Sequence, residues 1–183
     1  LLLKCAAGLV FPEAGRVFFK GKDIGSTGEK EYQLMQGRTG FHFQDGALWA
    51  NKSIRENLSL PLLAFDPGMP QRLVDIKVAE AMTSMNLDVD PESRPASISM
   101  GLQKIVGFLR ATITRPEVLF LDDSLSLLDQ GTSRLIVQWI DKFRESGVTM
   151  VMSTHDRGLT DRPGAQVGRG GRHDVPRRAR IEH

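Results

Sequence analysis

Polar side chains follow three apolar stretches of the chain, where each stretch would leave a folded core. Gln44 follows GFHF. The adjacent acids Asp122 and Asp123 follow VLFL, and His155 follows VTMVMST. In an open parallel sheet, binding sites lie at the carboxyl ends of the strands. One crevice could therefore hold an amide, two carboxylates and an imidazole, groups that can bind a cation and transfer protons.

Each of these features alone has an ordinary structural explanation. A glutamine after a strand is usually part of a loop, and a single histidine is more often structural than catalytic. An apolar run that ends in Asp is often only a strand leaving the core. The order and spacing of the three features together favour a functional site.

The surrounding pattern predicts the elements that would position these side chains. Ser53, with Glu56 three residues later, is a capping-box signature and predicts a helix start. Buried strands that alternate with helices are typical of a parallel sheet in an α/β domain. Residues 1–9 read as part of a helix. The predicted strands are 15–20, 39–44, 117–122 and 148–153, and the other predicted helices are 72–87, 102–113 and 131–146, with Gly147 as a C-cap.

Composition limits the possible classes of protein. The 183 residues suit one domain, and no apolar run approaches the roughly 20 residues that span a bilayer. A single cysteine, Cys5, cannot form an internal disulfide, which favours a reducing compartment. Residues 162–183 hold six Arg against two acids, so the rest of the chain carries a net charge of −2 and gives no nucleic-acid signal. The Gly/Arg-rich segment 161–183 is predicted to be disordered.

Seven segments occur in an order that resembles the ATPase subunits of ABC transporters. They are LLLKCAAGL, which resembles the helix after the phosphate-binding loop, FPEAGRVFFKGKDI (the next strand segment), FHFQ (Q-loop), ISMGLQK (signature), VLFLDD (Walker B), SLLD (D-loop) and STHD (H-loop). The resemblance implies a P-loop NTPase-like parallel sheet with an inserted helical subdomain. It implies a RecA-like ATPase core in residues 1–46 and 116–160, and a helical subdomain with the signature in residues 47–115.

The resemblance also implies roles for the residues at the strand ends. Asp122 would orient Mg²⁺ through water, and Gln44 would sense both the metal and the water. Asp123 stands where the family places the glutamate that polarises the attacking water, and His155 would contact the γ-phosphate. Phosphoryl transfer to water requires such charge neutralisation and a water held in line.

The signature and the D-loop imply a second subunit. Ser99, Met100 and Gly101 would lie at the γ-phosphate of the partner subunit, at the positive N-terminus of the helix that they open. Asp129 would make a contact across the dimer. The cofactors would be ATP and Mg²⁺. A transmembrane permease subunit would dock beside residues 47–60, with Leu48 and Trp49 as candidate contacts, at the cytoplasmic face of the inner membrane. Packing within the helical segment is the alternative explanation for these two side chains.

The chain departs from the family pattern at several positions. No GxxxxGK[ST] motif occurs in the 183 residues, and the pattern would place it, and the strand that leads into it, just before Leu1. Met100 replaces a glycine and Leu102 a Gln or Glu. Ser124 replaces the usual proline, and Asp123 is one methylene shorter than the expected glutamate. The explanations are a fragment of a longer gene product or a natural protein that has lost ATP binding. The tail is either a disordered tail, the product of a frameshift near residue 160, or an arginine tail that binds anionic lipid or RNA.

Two function hypotheses follow. The segments FQDGALW and SIRENLSLPL, together with Ser99–Val106, resemble the Mla/MCE-type branch that drives lipid movement between bacterial membranes. The first hypothesis is therefore an ABC-type ATPase subunit that powers transport, with phospholipid as a candidate substrate. The second is a truncated or decayed ATPase-like domain that serves only as an interaction module.

Overall fold

The fold is a parallel sheet with helices, as the alternating pattern predicts. A computed structural model describes residues 1–126, 128–155 and 159. The 161–183 segment, together with Leu127 of SLLD and Asp156 of STHD, lies outside the described residues. Within the described part, the helices are α1 (Leu2–Ala6), α2 (Glu29–Gly37), α3 (Ile54–Phe65), α4 (Gln71–Ser84), α5 (Met100–Thr112) and α6 (Gln130–Glu145). The strands are β1 (Phe18–Phe19), β2 (Lys22–Asp23), β3 (Thr39–His42), β4 (Val118–Asp122) and β5 (Thr149–Ser153).

The sheet that positions the strand ends has three parallel strands in the order β3-β4-β5. Its register places His42 beside Leu121, and Leu121 beside Met152. The carboxyl ends of all three strands therefore meet at one edge. The central strand β4 has a buried interior, Leu119–Leu121, whereas β5 is only half-buried. The predicted 15–20 strand is shorter than expected, because only Phe18 and Phe19 pair with β2 in a small antiparallel hairpin.

Helix α3 begins where the capping box predicts. The Ser53 hydroxyl accepts a hydrogen bond from the Glu56 N–H at 3.2 Å, and the Glu56 carboxylate accepts one from the Ser53 N–H at 2.7 Å. Both bonds satisfy N–H groups that the first turn of a helix otherwise leaves unpaired. Helix α6 ends before Gly147, which adopts φ +85° as a residue after a helix C-cap commonly does.

The hydrophobic core joins the helices of the 47–115 segment to the sheet. Phe108 of α5, Leu58 of α3 and Leu119 of β4 are fully buried in one cluster. Helix α5 approaches β3 so closely that a Cβ on Gly40 would lie 2.0 Å from the Ala111 carbonyl oxygen. As a result, α5 carries the predicted signature residues at its N-terminus while its body packs on the sheet. The subdomain boundaries at residues 47 and 115 stay predictions.

Helix α2 was missed in the sequence. Its residues, EKEYQLMQG, include no buried side chain, so they lack the apolar stripe that predicts an amphipathic helix. Contacts with the end of α1 hold it in place. Tyr32 donates a hydrogen bond to the Gly8 carbonyl, and the Gln36 amide donates one to the Ala7 carbonyl at 3.1 Å.

Candidate functional site

The ends of β3 and β4 bring a glutamine amide and a carboxylate together. The Gln44 Nε2 donates to Asp123 Oδ2 at 3.5 Å, although 79 positions separate the two residues in the sequence. The Asp123 N–H donates to the Ser153 carbonyl at 2.9 Å, which fixes the start of the turn after β4 against β5. The three strand ends singled out in the sequence therefore form one edge.

Asp122 is the last residue of β4 and lies beside Ser153 in the register. Its Oδ1 accepts a hydrogen bond from the Ser153 hydroxyl at 2.7 Å. The sequence predicts no separate role for Ser153, which is the first residue of STHD. A serine at this position can nevertheless orient the neighbouring carboxylate. The hydroxyl leaves the second oxygen, Oδ2, of Asp122 for another partner.

The donor set at this edge fits Mg²⁺. Mg²⁺ prefers oxygen ligands and is commonly bound by one or two carboxylates together with substrate phosphates and waters. Asp122 supplies a carboxylate, and Gln44 supplies an amide oxygen because its nitrogen is already donated to Asp123. No cluster of three or more His, Cys, Asp or Glu side chains that could hold a metal occurs in the described ranges.

Asp123 has a left-handed backbone conformation with φ +44°. Asp and Asn adopt this region more readily than other non-glycine residues. The Asp123 carbonyl accepts hydrogen bonds from the N–H of Ser126 at 3.2 Å and from its hydroxyl at 2.9 Å. The turn is held by backbone contacts, so the half-buried carboxylate of Asp123 is presented from a fixed position.

His155 lies two residues beyond β5 and is exposed. It belongs to the same sheet edge as Asp122 and Asp123, because β5 runs parallel to β4. An exposed imidazole at the rim is available to an incoming ligand. Its contact with a γ-phosphate stays a prediction.

The signature residues and Asp129 form a second group at the N-termini of α5 and α6. The Ser99 hydroxyl accepts from the Leu102 N–H at 3.3 Å and caps α5. A Cβ on Gly101 would lie 3.1 Å from the Thr132 hydroxyl oxygen and 3.5 Å from Asp129 Oδ2, so the two helix ends are neighbours. Met100 is the first residue of α5 and is 61% exposed. Its position at a partner's phosphate stays a prediction.

Asp129 caps helix α6, a role that the sequence reasoning did not assign. Its Oδ1 accepts from the N–H groups of Gly131 and Thr132, both at 2.9 Å, and its Oδ2 accepts from the Thr132 hydroxyl at 2.5 Å. The Thr132 hydroxyl, followed by these N–H groups, lowers the pKa of Asp129. An Asp directly before an amphipathic helix is a strong N-cap signal. Its predicted contact across a dimer stays a prediction.

Three buried polar residues lie behind the strand ends, and sequence reasoning assigned a site role to none of them. They are His42, Lys104 and Ser124. Burial lowers the pKa of His42 from 6.5 to about 4, and the charges of Lys104 and Arg110 lower it further. The hydrogen bond to the Lys104 carbonyl and the charge of Asp45 oppose this shift of the pKa. Burial also lowers the pKa of Lys104, against the attraction of Asp123 and Asp45.

Arg110 holds the loop after Gln44 on α5. Its guanidinium group donates to the carbonyls of Gly46 and Ala47, at 3.1 and 2.8 Å.

A cavity of about 520 Å³ lies elsewhere, among residues 11–26 of the first hairpin. Arg16 and Asp23 contribute polar groups to its lining, and Phe11 and Ile24 contribute apolar ones. None of the residues predicted for the site lines this cavity. We place the site at the sheet edge because the predicted amide and carboxylates meet there, whereas none of those residues lines the cavity.

Comparisons with known proteins bear on the family and the fold of the chain. The family profile described as ABC transporter matches residues 1–126. The methionine import ATP-binding protein MetN of Mesorhizobium japonicum is 34% identical over 166 residues, which cover 88% of this chain and 45% of MetN. The cell division ATP-binding protein FtsE of Escherichia coli K12 is 31% identical over 161 residues, which cover 88% of this chain and 72% of FtsE. This chain therefore spans less than half the length of MetN.

Two solved structures of the ATP-binding cassette MJ0796 are similar to this fold. One is a dimeric post-hydrolysis state bound to ADP and Pi, with a TM-score of 0.78, and the other is a dimeric structure of the cassette, with a TM-score of 0.79. Both are 26% identical in sequence and cover 86% of this chain and 70% of the solved chain. The motif order, the parallel sheet and these matches agree, and the chain belongs to the ATP-binding family of ABC transporters.

Proposed function

We propose that this chain forms the ATP-binding and ATP-hydrolysing part of an ABC-type ATPase subunit. The observation that carries the proposal is the meeting of Gln44 and Asp123 beside Asp122 at the carboxyl edge of the sheet. Phosphoryl transfer to water depends mainly on positioning and on charge stabilisation. The proposed metal-binding acid, the second acid and the amide lie at one edge of the sheet. Together they would supply the protein's contribution to positioning and to charge stabilisation.

Asp122 and Gln44 would hold Mg²⁺ together with the phosphates of ATP. Bound Mg²⁺ would neutralise charge on the phosphates. The Ser153 hydroxyl would keep the Asp122 carboxylate oriented by occupying its Oδ1. Asp123 would accept the proton of the attacking water, and the Gln44 amide nitrogen would hold the Asp123 carboxylate in place. His155 would donate a hydrogen bond to the γ-phosphate from the rim.

A second subunit would complete the site. Ser99 and Gly101 open α5, where unpaired N–H groups and the helix dipole favour an anion. The N-terminus of α6 lies beside them. The two solved MJ0796 structures are dimeric, and one of them is bound to ADP and Pi. We infer that the signature residues of one subunit bind the ATP held by the strand ends of the other.

The permease subunit is proposed to contact the surface at Trp49. The Trp49 side chain is 55% exposed, and its backbone is fixed by Asn57, whose amide accepts from the Trp49 N–H at 2.8 Å and donates to the Trp49 carbonyl at 3.1 Å. Leu48 packs against the core, so of the two predicted contacts Trp49 is the one presented outward. No helix among the described residues is long and apolar enough to cross a membrane. A peripheral position at the cytoplasmic face would follow from docking on such a partner.

The relatives and the sequence segments point to different processes that the ATPase would power. Methionine import and cell division are the processes named for the two relatives. Lipid transport is our more specific hypothesis. It rests on the resemblance of the segments FQDGALW and SIRENLSLPL to the Mla/MCE-type branch. Transport assays with phospholipid and with methionine would separate these alternatives.

Asp122→Asn is the substitution that tests the proposed function. We expect it to lower Mg²⁺-dependent ATP hydrolysis by the natural gene product on the order of 10²-fold or more, because it removes charge from a preorganised site. Phosphate release is the measurement, and Glu80→Gln, at an exposed position of α4, is the control and should be unchanged. Equal turnover in the Asp122→Asn variant would contradict the proposal. A protein that hydrolyses no ATP at all would support the interaction-module hypothesis.

A further inference from the structure

A fully buried histidine, His42, joins two of the elements that form the site. It lies at the end of β3, two residues before Gln44, and its side chain is inaccessible to solvent. Its Nε2 lies 3.1 Å from the Lys104 carbonyl oxygen in α5, and its Nδ1 lies 2.9 Å from the Ser124 hydroxyl oxygen after β4. The ring also packs edge-on against Phe108 of α5, with the ring centroids 5.8 Å apart.

These contacts select one form of the imidazole. A carbonyl oxygen can only accept a hydrogen bond, so His42 Nε2 must carry a hydrogen. In the neutral ring Nδ1 is then an acceptor, and the Ser124 hydroxyl donates to it. The charged groups near the ring are Lys104 and Arg110, which oppose an imidazolium, and Asp45, which favours one. Burial opposes the charged form most, and it keeps the ring neutral near pH 7.

Ser124 connects this histidine to Asp123. It directly follows Asp123 in the left-handed turn, and only 5% of it is accessible to solvent. Lys104 closes the network from the other side, because its ammonium group donates to the Ser126 carbonyl in the same turn. The turn that carries Asp123 is thus bonded to β3 through His42 and to α5 through Lys104.

We propose that His42 is a positioning residue for ATP hydrolysis, which sets the Asp123 turn relative to α5 through Ser124 and the Lys104 carbonyl. This inference rests on the proposed function. His42 touches none of the groups that we expect to contact ATP, so its effect is exerted through the position of Asp123. Ser99 caps the N-terminus of α5, and the network therefore links the proposed catalytic edge of a subunit to the signature that it would offer to its partner.

Two substitutions test the network in the natural gene product. His42→Phe keeps an aromatic ring and removes both hydrogen bonds, and Ser124→Ala removes only the donor to Nδ1. Because misplacement of a reacting group by about 1 Å can cost 10²-fold, we expect each variant to lower kcat roughly tenfold or more. KM for ATP should change less than twofold, since the residues that bind nucleotide are retained. The double variant should lose little more than His42→Phe, because both changes break the same bond.

Thr112→Val is the matched control. Its buried hydroxyl donates to the Phe108 and Leu109 carbonyls within α5 and takes no part in the network. We expect kcat to be unchanged in this variant even if its stability falls. A loss of kcat equal to that of His42→Phe would show that general destabilisation of α5 explains the effect, and it would contradict the positioning role.

Nitrogen NMR of the 183-residue chain gives a readout that does not depend on activity. We expect His42 to be the Nε2–H tautomer at pH 7, because Nε2 faces the Lys104 carbonyl, with the Nδ1 signal shifted by Ser124→Ala. An Nδ1–H tautomer would overturn the network. If neither substitution changes turnover, only the role of His42 is contradicted. If the unsubstituted protein has no turnover, both the proposed function and the role of His42 are contradicted.

Discussion

Replacing Asp123 by Asn is expected to lower ATP turnover of the natural gene product on the order of 10²–10⁴-fold, the usual contribution of a positioned general base. Asn has nearly the same shape as Asp and also tolerates the left-handed conformation found here, φ +44°. The substitution therefore removes the charge and the proton acceptor while the turn is retained. Steady-state phosphate release, measured at saturating ATP and Mg²⁺, checks the result.

The matched variant is Asp123→Glu, which introduces the acid that the resemblance implies at this position. The shorter side chain of Asp withdraws the carboxylate by roughly one C–C bond, about 1.5 Å, and a base must lie within hydrogen-bond reach of its water. We expect Asp123→Glu to hydrolyse ATP faster than the unsubstituted protein, although Glu adopts the left-handed region less readily than Asp. Equal turnover with Asp and Glu at position 123 would contradict the claim that the shorter side chain holds its carboxylate too far from the water. A loss of turnover below tenfold in Asp123→Asn would contradict the role of Asp123 as the general base.

The largest effect on stability is expected for Gly40→Ala. The added Cβ would lie 2.0 Å from the Ala111 carbonyl oxygen and 3.1 Å from Leu119 Cδ1, so β3 and α5 must move apart. Overpacking of this kind lowers the free energy of unfolding by about 3 kcal/mol. Urea unfolding of the 183-residue chain, followed by circular dichroism, measures the change.

Gly28→Ala is the control for this substitution. A Cβ at Gly28 meets no atom within 4 Å, and its φ of −67° suits any residue. Gly28 is the N-cap of α2, where Ala is less favourable than Gly, so we expect the variant's free energy of unfolding to fall by no more than about 1 kcal/mol. A Gly40→Ala variant as stable as Gly28→Ala would show that β3 and α5 do not approach each other as closely as described.

The elements with strong local signals could be predicted from the sequence. The capping box at Ser53, the apolar strand before Asp122 and the amphipathic stripe of α6 each follow from interactions within a few residues. The prediction that polar strand ends meet at one edge was also confirmed, because neighbouring parallel strands have their carboxyl ends at the same edge of a sheet. Their catalytic and metal-binding roles stay predictions.

The features that depend on distant contacts were missed. Helix α2 has no buried face and is held by bonds from Tyr32 and Gln36 to the end of α1. The alternation in TGFHFQ draws attention to Phe41 and Phe43, yet Gly40 and His42 form the buried face of β3. The reason is the close approach of α5 to Gly40, which local periodicity does not contain. The bonds of His42 likewise join residues 62 and 82 positions apart.

The central claim is that one ATP site is shared by two subunits, and mixing two inactive variants tests it most directly. Asp123→Asn disables the strand-end half of the site. Ser99→Asp disables the signature half by adding a negative charge where phosphate would bind, while Asp remains a good N-cap for α5. In a two-fold dimer of one variant of each kind, one site carries both defects and the other carries neither.

Phosphate release is measured for each variant alone and for an equimolar mixture after the subunits have exchanged. We expect each variant to be inactive alone and the mixture to recover roughly a quarter of the unsubstituted rate, because half of the dimers are mixed and each has one of two sites intact. A mixture that stays as inactive as its components would contradict a site shared between the strand ends of one subunit and the signature of the other.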